Sequence, residues 1–266
     1  MTEIGAQLVK QLRDRTGAGM MECKRALQET GGDLDAARTL LREKGLAAAG
    51  KRADRTTSEG LVGMIVEPET ASIVGIGCET EPVSKNDAFR AFGERVLRAV
   101  HADGPAAAES LETERVELVA QLGENIVVVG AERYEGGALG GYVHPPANKI
   151  GVLVQLEGGS EELARRLAMH ISFAAPEFTS RDDVPVATLD AERQVYLNSD
   201  EVQGKPEGAR EKIVEGMLGK RFYAAAPGGV LVDQPSIQDS AMTVGQLLED
   251  AGASVRGFTR VTVGGS

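Results

Sequence analysis

The reading of this chain turns on Gly77-Cys-Glu-Thr-Glu-Pro-Val-Ser-Lys-Asn-Asp-Ala-Phe89, where an apolar run from Ala71 to Cys78 meets an amphipathic pattern. Phe89, Phe92, Val96, Leu97 and Val100 recur at intervals of three and four, the spacing of one helical face, whereas the run before them reads as a strand. Ser84 followed three residues later by Asp87 resembles a capping box, which predicts a helix starting near Ser84. Glu79 to Val83 then form an exposed loop at a strand-to-helix corner. Pro82 fixes its own φ and biases Glu81 toward extended geometry, so the corner is expected to be rigid. Binding residues concentrate at such corners.

The 266 residues suggest two domains with a small third module, and 42% hydrophobic residues suffice for ordinary cores. Aromatic residues make up 4% and Trp is absent, which removes the stacking platforms used by binders of single-stranded nucleic acid. A formal charge of −11 would repel a phosphate backbone, so nucleic acid is excluded and a protein partner favoured. Cys23 and Cys78 have no metal-ligand spacing and read as buried thiols. The opening Met-Thr-Glu-Ile-Gly lacks a signal layout and no run is long enough to span a membrane, which gives a cytoplasmic expectation without membrane contact.

Before the corner, Ile4, Leu8 and Leu12 mark one helix, Met20 to Leu27 a second, and Leu34, Ala37, Leu40 and Leu41 a third, capped by Asp33 with Gly45 as its stop signal. This gives a thin-cored helical bundle over residues 1–52, with Lys51 to Ser58 as linker. Met20 and Met21 would ordinarily fill a core. Consecutive helical positions differ by about 100°, however, so one of them is expected to offer an adaptable contact surface. Gly45 to Arg52 approximates a phosphate-binding loop, but Arg52 stands where Ser or Thr must ligate magnesium and a helix precedes it instead of a strand.

From residue 53 the order is a hairpin (Leu61 to Val66 and Ile73 to Cys78), the corner, its helix, a second helix with Val116, Val119 and Leu122, and a strand from Ile126 to Val129. The order repeats from residue 137: strands at Leu139 to His144 and Ile150 to Leu156, a helix capped by Ser160, and a late strand at Val255 to Val263. Two similar α+β halves with antiparallel three-stranded sheets follow, over residues 53–136 and 137–266. Within the second half, an insertion bounded at 187–222 has charged helical patches from Leu189 to Leu218, broken at Gly204-Lys-Pro206. It reads as a protruding helical hairpin, and Thr243 caps a short helix that returns the chain to the sheet.

His101, His144 and His170 lie in no nucleophile or zinc signature, and no cofactor or metal pattern is present. Glu79 and Glu81, two apart, would share one face if extended. A distant Cys78 and His144 pair leaves a thiol enzyme formally open. The residues alone therefore describe a multi-module binding protein without catalytic residues.

Leu12-Arg-Asp-Arg-Thr-Gly-Ala-Gly-Met-Met-Glu-Cys-Lys-Arg-Ala-Leu27 resembles the N-terminal signature of the bacterial elongation factor Ts family. Glu79-Thr-Glu-Pro-Val83 with Lys85-Asn-Asp87 resembles that family's Glu-Thr-Asp-Phe-Val motif, and Gly123-Glu-Asn125, Met169-His-Ile171, Gly204-Lys-Pro206 and Thr243 to Leu248 follow in collinear order. The resemblance implies a ubiquitin-associated-like bundle, a two-part core and a helical hairpin. It also implies a guanine nucleotide exchange factor that binds elongation factor Tu, GDP-bound and nucleotide-free, and allows a homodimer of that complex. By the same resemblance Arg13, Met20 and Met21 grip the partner's nucleotide domain. Thr80, Glu81, Pro82 and Val83 displace its magnesium, Leu122, Gly123 and His144 press on its phosphate side, and the second half contacts its C-terminal domain.

Two departures stand out. Glu81 and Pro82 replace the family's Asp and Phe, and the further C-terminal helix frequent in the family, with its extra contact, is not expected after Gly265-Ser266. A weaker-exchanging binding or chaperone-like module is the alternative.

Overall fold

The computed structural model describes residues 4–264. Met1 to Glu3 and Gly265-Ser266, on which the readings of the chain's opening and of its closing helix partly rest, lie outside the described residues. Helix α1 (Ala6–Thr16) stops where Gly17 takes a φ of 66°, the left-handed conformation that costs glycine nothing. After α2 (Met20–Glu29), α3 (Leu34–Arg52) starts on Asp33, whose carboxylate accepts the Asp35 and Ala36 amides. Leu12, Cys23, Ala26, Leu27 and Ala37 fill a small core among them. Met20 and Met21 are both exposed, at 59% and 62%, so neither serves as core filler.

Strands β1 (Glu59–Val66) and β2 (Thr70–Cys78) form the expected hairpin. A single helical turn α4 (Glu81–Ser84), α5 (Asp87–Asp103), a 3₁₀ turn and α6 (Glu112–Leu122) lead into β3 (Val127–Glu135), which extends well beyond Val129. The second half has β4 (Ala138–Val143), β5 (Ile150–Glu157), the Ser160-capped α7 (Glu161–Ala174), helices α8 (Val186–Leu197), α9 (Asp200–Gln203) and α10 (Glu207–Met217), then α11 (Val244–Asp250) and β6 (Ser254–Thr262). Both sheets are antiparallel and three-stranded, in the orders β1-β2-β3 and β4-β5-β6. The α+β expectation therefore holds.

Strand periodicity explains the layering. Ala71 and Ile73 point to one side of β2 and Val74 and Ile76 to the other. The first pair meets Leu139, Leu153 and Val261 between the two sheets, while the second packs under Phe89, Phe92 and Val96 of α5 and Val119 of α6. Val152, Val154 and Leu156 of β5 face α7 and α11. The order of layers is helix, sheet, sheet, helix. At the central interface Gly151 has no room for a side chain, since a Cβ there would lie 2.5 Å from Val62 Cγ1.

Gly45 does not end α3. A Cβ at Gly45 would lie 3.1 Å from Ala120 Cβ, so the glycine lets α3 run close against α6, and Ala49 joins the core of the first half. Gly45 to Arg52 is helical throughout and offers no phosphate-cradling loop. The linker shrinks to the few residues between Arg52 and β1. The insertion, whose helical part begins at Val186, is more than a solvated hairpin: its Val202, Val214, Met217 and Leu218 share a core with Val184, Tyr223 and Val230 of the flanking segments. No helix among the described residues is long and apolar enough to cross a membrane.

His170 of α7 is buried at 3% exposure, between Gln234 Oε1, 2.8 Å from its Nε2, and the Ile237 amide, which donates to Nδ1 at 3.4 Å. Burial holds its pKa below the ordinary histidine value, with the Gln234 contact opposing in part. The unfolded chain therefore takes up a proton that the fold refuses, and stability is lost as pH falls below about 6.5. Thermal unfolding should accordingly occur at lower temperature near about pH 5.5 than near about pH 7.5, and His170→Gln should shrink that difference. An undiminished difference in the variant would assign the acid sensitivity to other groups.

Candidate functional site

At the end of β2 the chain turns sharply, and the exposed amides of such a turn need acceptors. Glu124, just beyond α6, supplies them: its Oε2 accepts the Glu79 and Thr80 amides at 3.0 Å each, and its Oε1 accepts the Thr80 hydroxyl. Glu79 returns the favour through Oε1, which accepts the Asn125 amide at 2.7 Å. Asn125 is buried, and its Nδ2 donates to the Ala53 carbonyl at 3.2 Å and the Arg55 carbonyl at 2.9 Å. The Arg55 guanidinium stands 3.5 Å from Glu79, and the Ser58 hydroxyl donates to the Glu79 carbonyl at 3.1 Å. The linker, the corner after β2 and the turn after α6 are thus held in one network.

The corner is not the loop that Glu79 to Val83 suggests. Thr80 is extended and α4 begins at Glu81, with Pro82 in the first turn, where its missing N–H costs no hydrogen bond. Nor does Ser84 cap the long helix, because its hydroxyl is bonded to the Glu81 carbonyl at 2.8 Å. Asn86 caps α5 instead, its Oδ1 accepting from Ala88 at 2.8 Å and Phe89 at 3.4 Å. Glu79 and Glu81 consequently part company: Glu79 is drawn into the network, while Glu81 faces solvent and pairs with Lys85 at 2.7 Å. Hydrogen bonding and charge from Lys85 lower the Glu81 pKa.

Cys78 is buried and points its thiol at the Thr80 carbonyl, 3.4 Å away. Burial, reinforced by the Glu124 charge, pushes its pKa up to about 12, which keeps it a thiol at neutral pH and unfit as a nucleophile. His144 instead engages the Tyr142 hydroxyl, 3.1 Å from its Nδ1. Among the described residues no cluster of three His, Cys, Asp or Glu side chains could hold a metal ion.

Of the residues singled out by sequence, Thr80 to Val83 and Leu122–Gly123 are brought together. Leu122 packs against the core of the first half and Gly123 ends α6 at a φ of 77°, directly before Glu124. Across a groove of about 740 Å³ from Glu81 and Lys85 runs the loop Pro146 to Lys149 that follows His144. Its Asn148 carbonyl accepts the Val62 amide at 2.7 Å, and Lys149 pairs with Glu59 at 2.6 Å, fixing that wall. Arg13, Met20 and Met21 stand apart, exposed on the bundle. Glu124 is the residue that sequence reasoning missed, although its place after a helix-stopping glycine was a usable signal.

Residues 79–265, which include Glu79 to Val83 and Glu124 of this corner, match the family description Elongation factor TS. The chain belongs to the elongation factor Ts family. It is 44% identical to elongation factor Ts of Alkalilimnicola ehrlichii over 275 residues and 45% identical to that of Halorhodospira halophila over 278, each alignment covering 98% of this chain and 92% of the relative. Elongation factor Ts of Salmonella paratyphi A is 41% identical over 268 residues, covering 99% of this chain and 93% of the relative. Its role is accordingly that of a translation elongation factor. These alignments take in the N-terminal bundle as well, since they cover 98–99% of the chain.

If the two crossed carboxylates hold the corner, Glu124→Ala should destabilise the fold by about 1–3 kcal/mol, since it leaves the partly buried Glu79 amide without its acceptor and frees the exposed Thr80 amide. Hydrogen exchange at the Glu79 and Thr80 amides should accelerate, whereas Lys85→Gln, which removes only the solvent-facing pair with Glu81, should leave both measures near those of the parent. Unchanged exchange in Glu124→Ala would show that the corner is held by other means.

Proposed function

We propose that this chain is a guanine nucleotide exchange factor for elongation factor Tu, acting in the cytoplasm as a protein ligand and making no covalent bond. The observation that carries the reading is the clamped corner: extended Thr80 and the first turn of α4, Glu81 to Val83, fixed to the end of α6 by Glu79, Glu124 and Asn125. A wedge that must deform a partner has to be stiffer than what it displaces, and this network supplies that stiffness. The proposed roles are a grip by Arg13, Met20 and Met21, pressure on the magnesium side by Thr80 to Val83, and pressure on the phosphate side by Leu122, Gly123 and His144.

The energetics constrain the mechanism. A factor that binds the nucleotide-free partner more tightly must weaken nucleotide binding by the same ratio. A ten-thousand-fold faster release corresponds to about 5.5 kcal/mol of barrier lowering. Losing magnesium coordination and phosphate-loop amides removes charge-assisted contacts of sufficient strength.

Pro82 favours a second reading, of a partner-binding module with weaker exchange. It is exposed on α4 and carries no aromatic ring where the family has Phe, and the neighbouring Glu81 carboxylate is engaged with Lys85. An aromatic side chain fully buried at an interface contributes about 1.5–3 kcal/mol, or roughly one to two decades in rate if realised in the transition state. The parent should accelerate release of fluorescent GDP from elongation factor Tu at substoichiometric amounts, and Pro82→Phe should accelerate it further. Tight binding without release would favour the second reading. Identical rates for parent and variant at every magnesium concentration would remove the corner from the mechanism.

A further inference from the structure

A separate cavity of about 390 Å³ lies between the N-terminal bundle and α6. Part of its lining is apolar, from Leu41, Val116 and Ala120. The rest is dominated by cations: Arg15, Arg25, Arg38, Arg42, Lys44 and Arg52, against the acids Glu22, Glu29 and Glu117. The whole chain has 40 acidic and 29 basic side chains, so the cavity is opposite in sign to the chain's net charge. The cations come from α1, α2 and α3, and only the tertiary fold brings them together.

Their partners are few. Among the described residues only Lys44 of the six meets a carboxylate, that of Glu29 at 2.7 Å, and Arg25 Nε donates to the Met21 carbonyl at 3.3 Å. Arg52 Nε is buried with no hydrogen-bond partner. A guanidinium nitrogen removed from water without an acceptor is unfavourable, and an anion in the cavity would satisfy it while relieving the repulsion among its neighbours.

We propose that this cavity binds a compact polyanion carrying two or more phosphate groups, which ties the N-terminal bundle to α6. Five of the six cations are arginines, whose planar forks match phosphate oxygens in pairs. The volume suits a small molecule, and a single monovalent anion would leave most of the cations unmatched. The cavity shares no lining residue with the groove beside the corner.

The test is calorimetric titration of the full chain with inorganic tripolyphosphate, free of divalent metal, at about 0.15 M salt. Citrate serves as a carboxylate control. Saturable binding of one tripolyphosphate per chain is expected, with a raised unfolding temperature and citrate at least tenfold weaker. Arg52→Gln should weaken binding at least tenfold, as should the exposed pair Arg38→Gln with Arg42→Gln, which carries the test if Arg52→Gln fails to fold. Arg210→Gln, on the distant hairpin, should change nothing. Absence of saturable binding up to millimolar ligand, undiminished affinity in the cavity variants, or equal affinity for citrate would each overturn the proposal.

Discussion

Two glutamates, each accepting backbone amides from the segment that carries the other, are the constraint on which the first half of this molecule depends. A sharp turn out of a sheet exposes N–H groups that cannot all find strand partners. Glu124 accepts those of Glu79 and Thr80, and Glu79 accepts that of Asn125, so each corner satisfies the other. The arrangement brings two carboxylates near one another, and the donors converging on them, with Arg55 at hand, offset the repulsion. Asn125 then extends the network to the linker through the Ala53 and Arg55 carbonyls.

The layered core supplies the base for these corners. With helices outside and sheets back to back, β2 and β5 are covered on both faces and carry near-continuous apolar runs, Ala71 to Cys78 and Gly151 to Leu156. Close approach at the centre requires glycine, as at Gly151 against Val62. The loop after β4 lies against β1 by the same sheet stacking, which is why Asn148 can reach the Val62 amide and wall the groove.

What could be read from the sequence was what local chemistry decides. Asp33, Ser160 and Thr243 cap helices because each signal is complete within four residues, and the alternation of strands and helices fixed the α+β architecture. Ser84 and Asp87 satisfied the same spacing, yet Asn86 won, because α4 had already claimed the Ser84 hydroxyl. Gly45 shows the same ambiguity: it ends a helix only where a left-handed residue is needed, and here it serves a close helix crossing instead. Met20 and Met21 are both outside because Cys23, Ala26 and Leu27 already fill the inward stripe of α2. The pairing of Glu79 with Glu124 spans more than forty positions, beyond the reach of any periodicity. The site residues were named through family resemblance, and their connection emerged only in the fold.

The uninterrupted α3 has a consequence for the entropy of association. At about 1.5 Å per residue its 19 residues form a strut of about 28 Å, rooted in the core at Ala49 and joined at its end to a linker fastened by Asn125. A module on a loose tether loses freedom when it docks, about 1–2 kcal/mol for each backbone residue that becomes ordered. A cantilevered bundle has surrendered that freedom on folding. Whatever engages both the bundle and the corner must therefore fit a preset span between them, and the molecule works as a caliper whose jaw spacing is fixed before the object arrives.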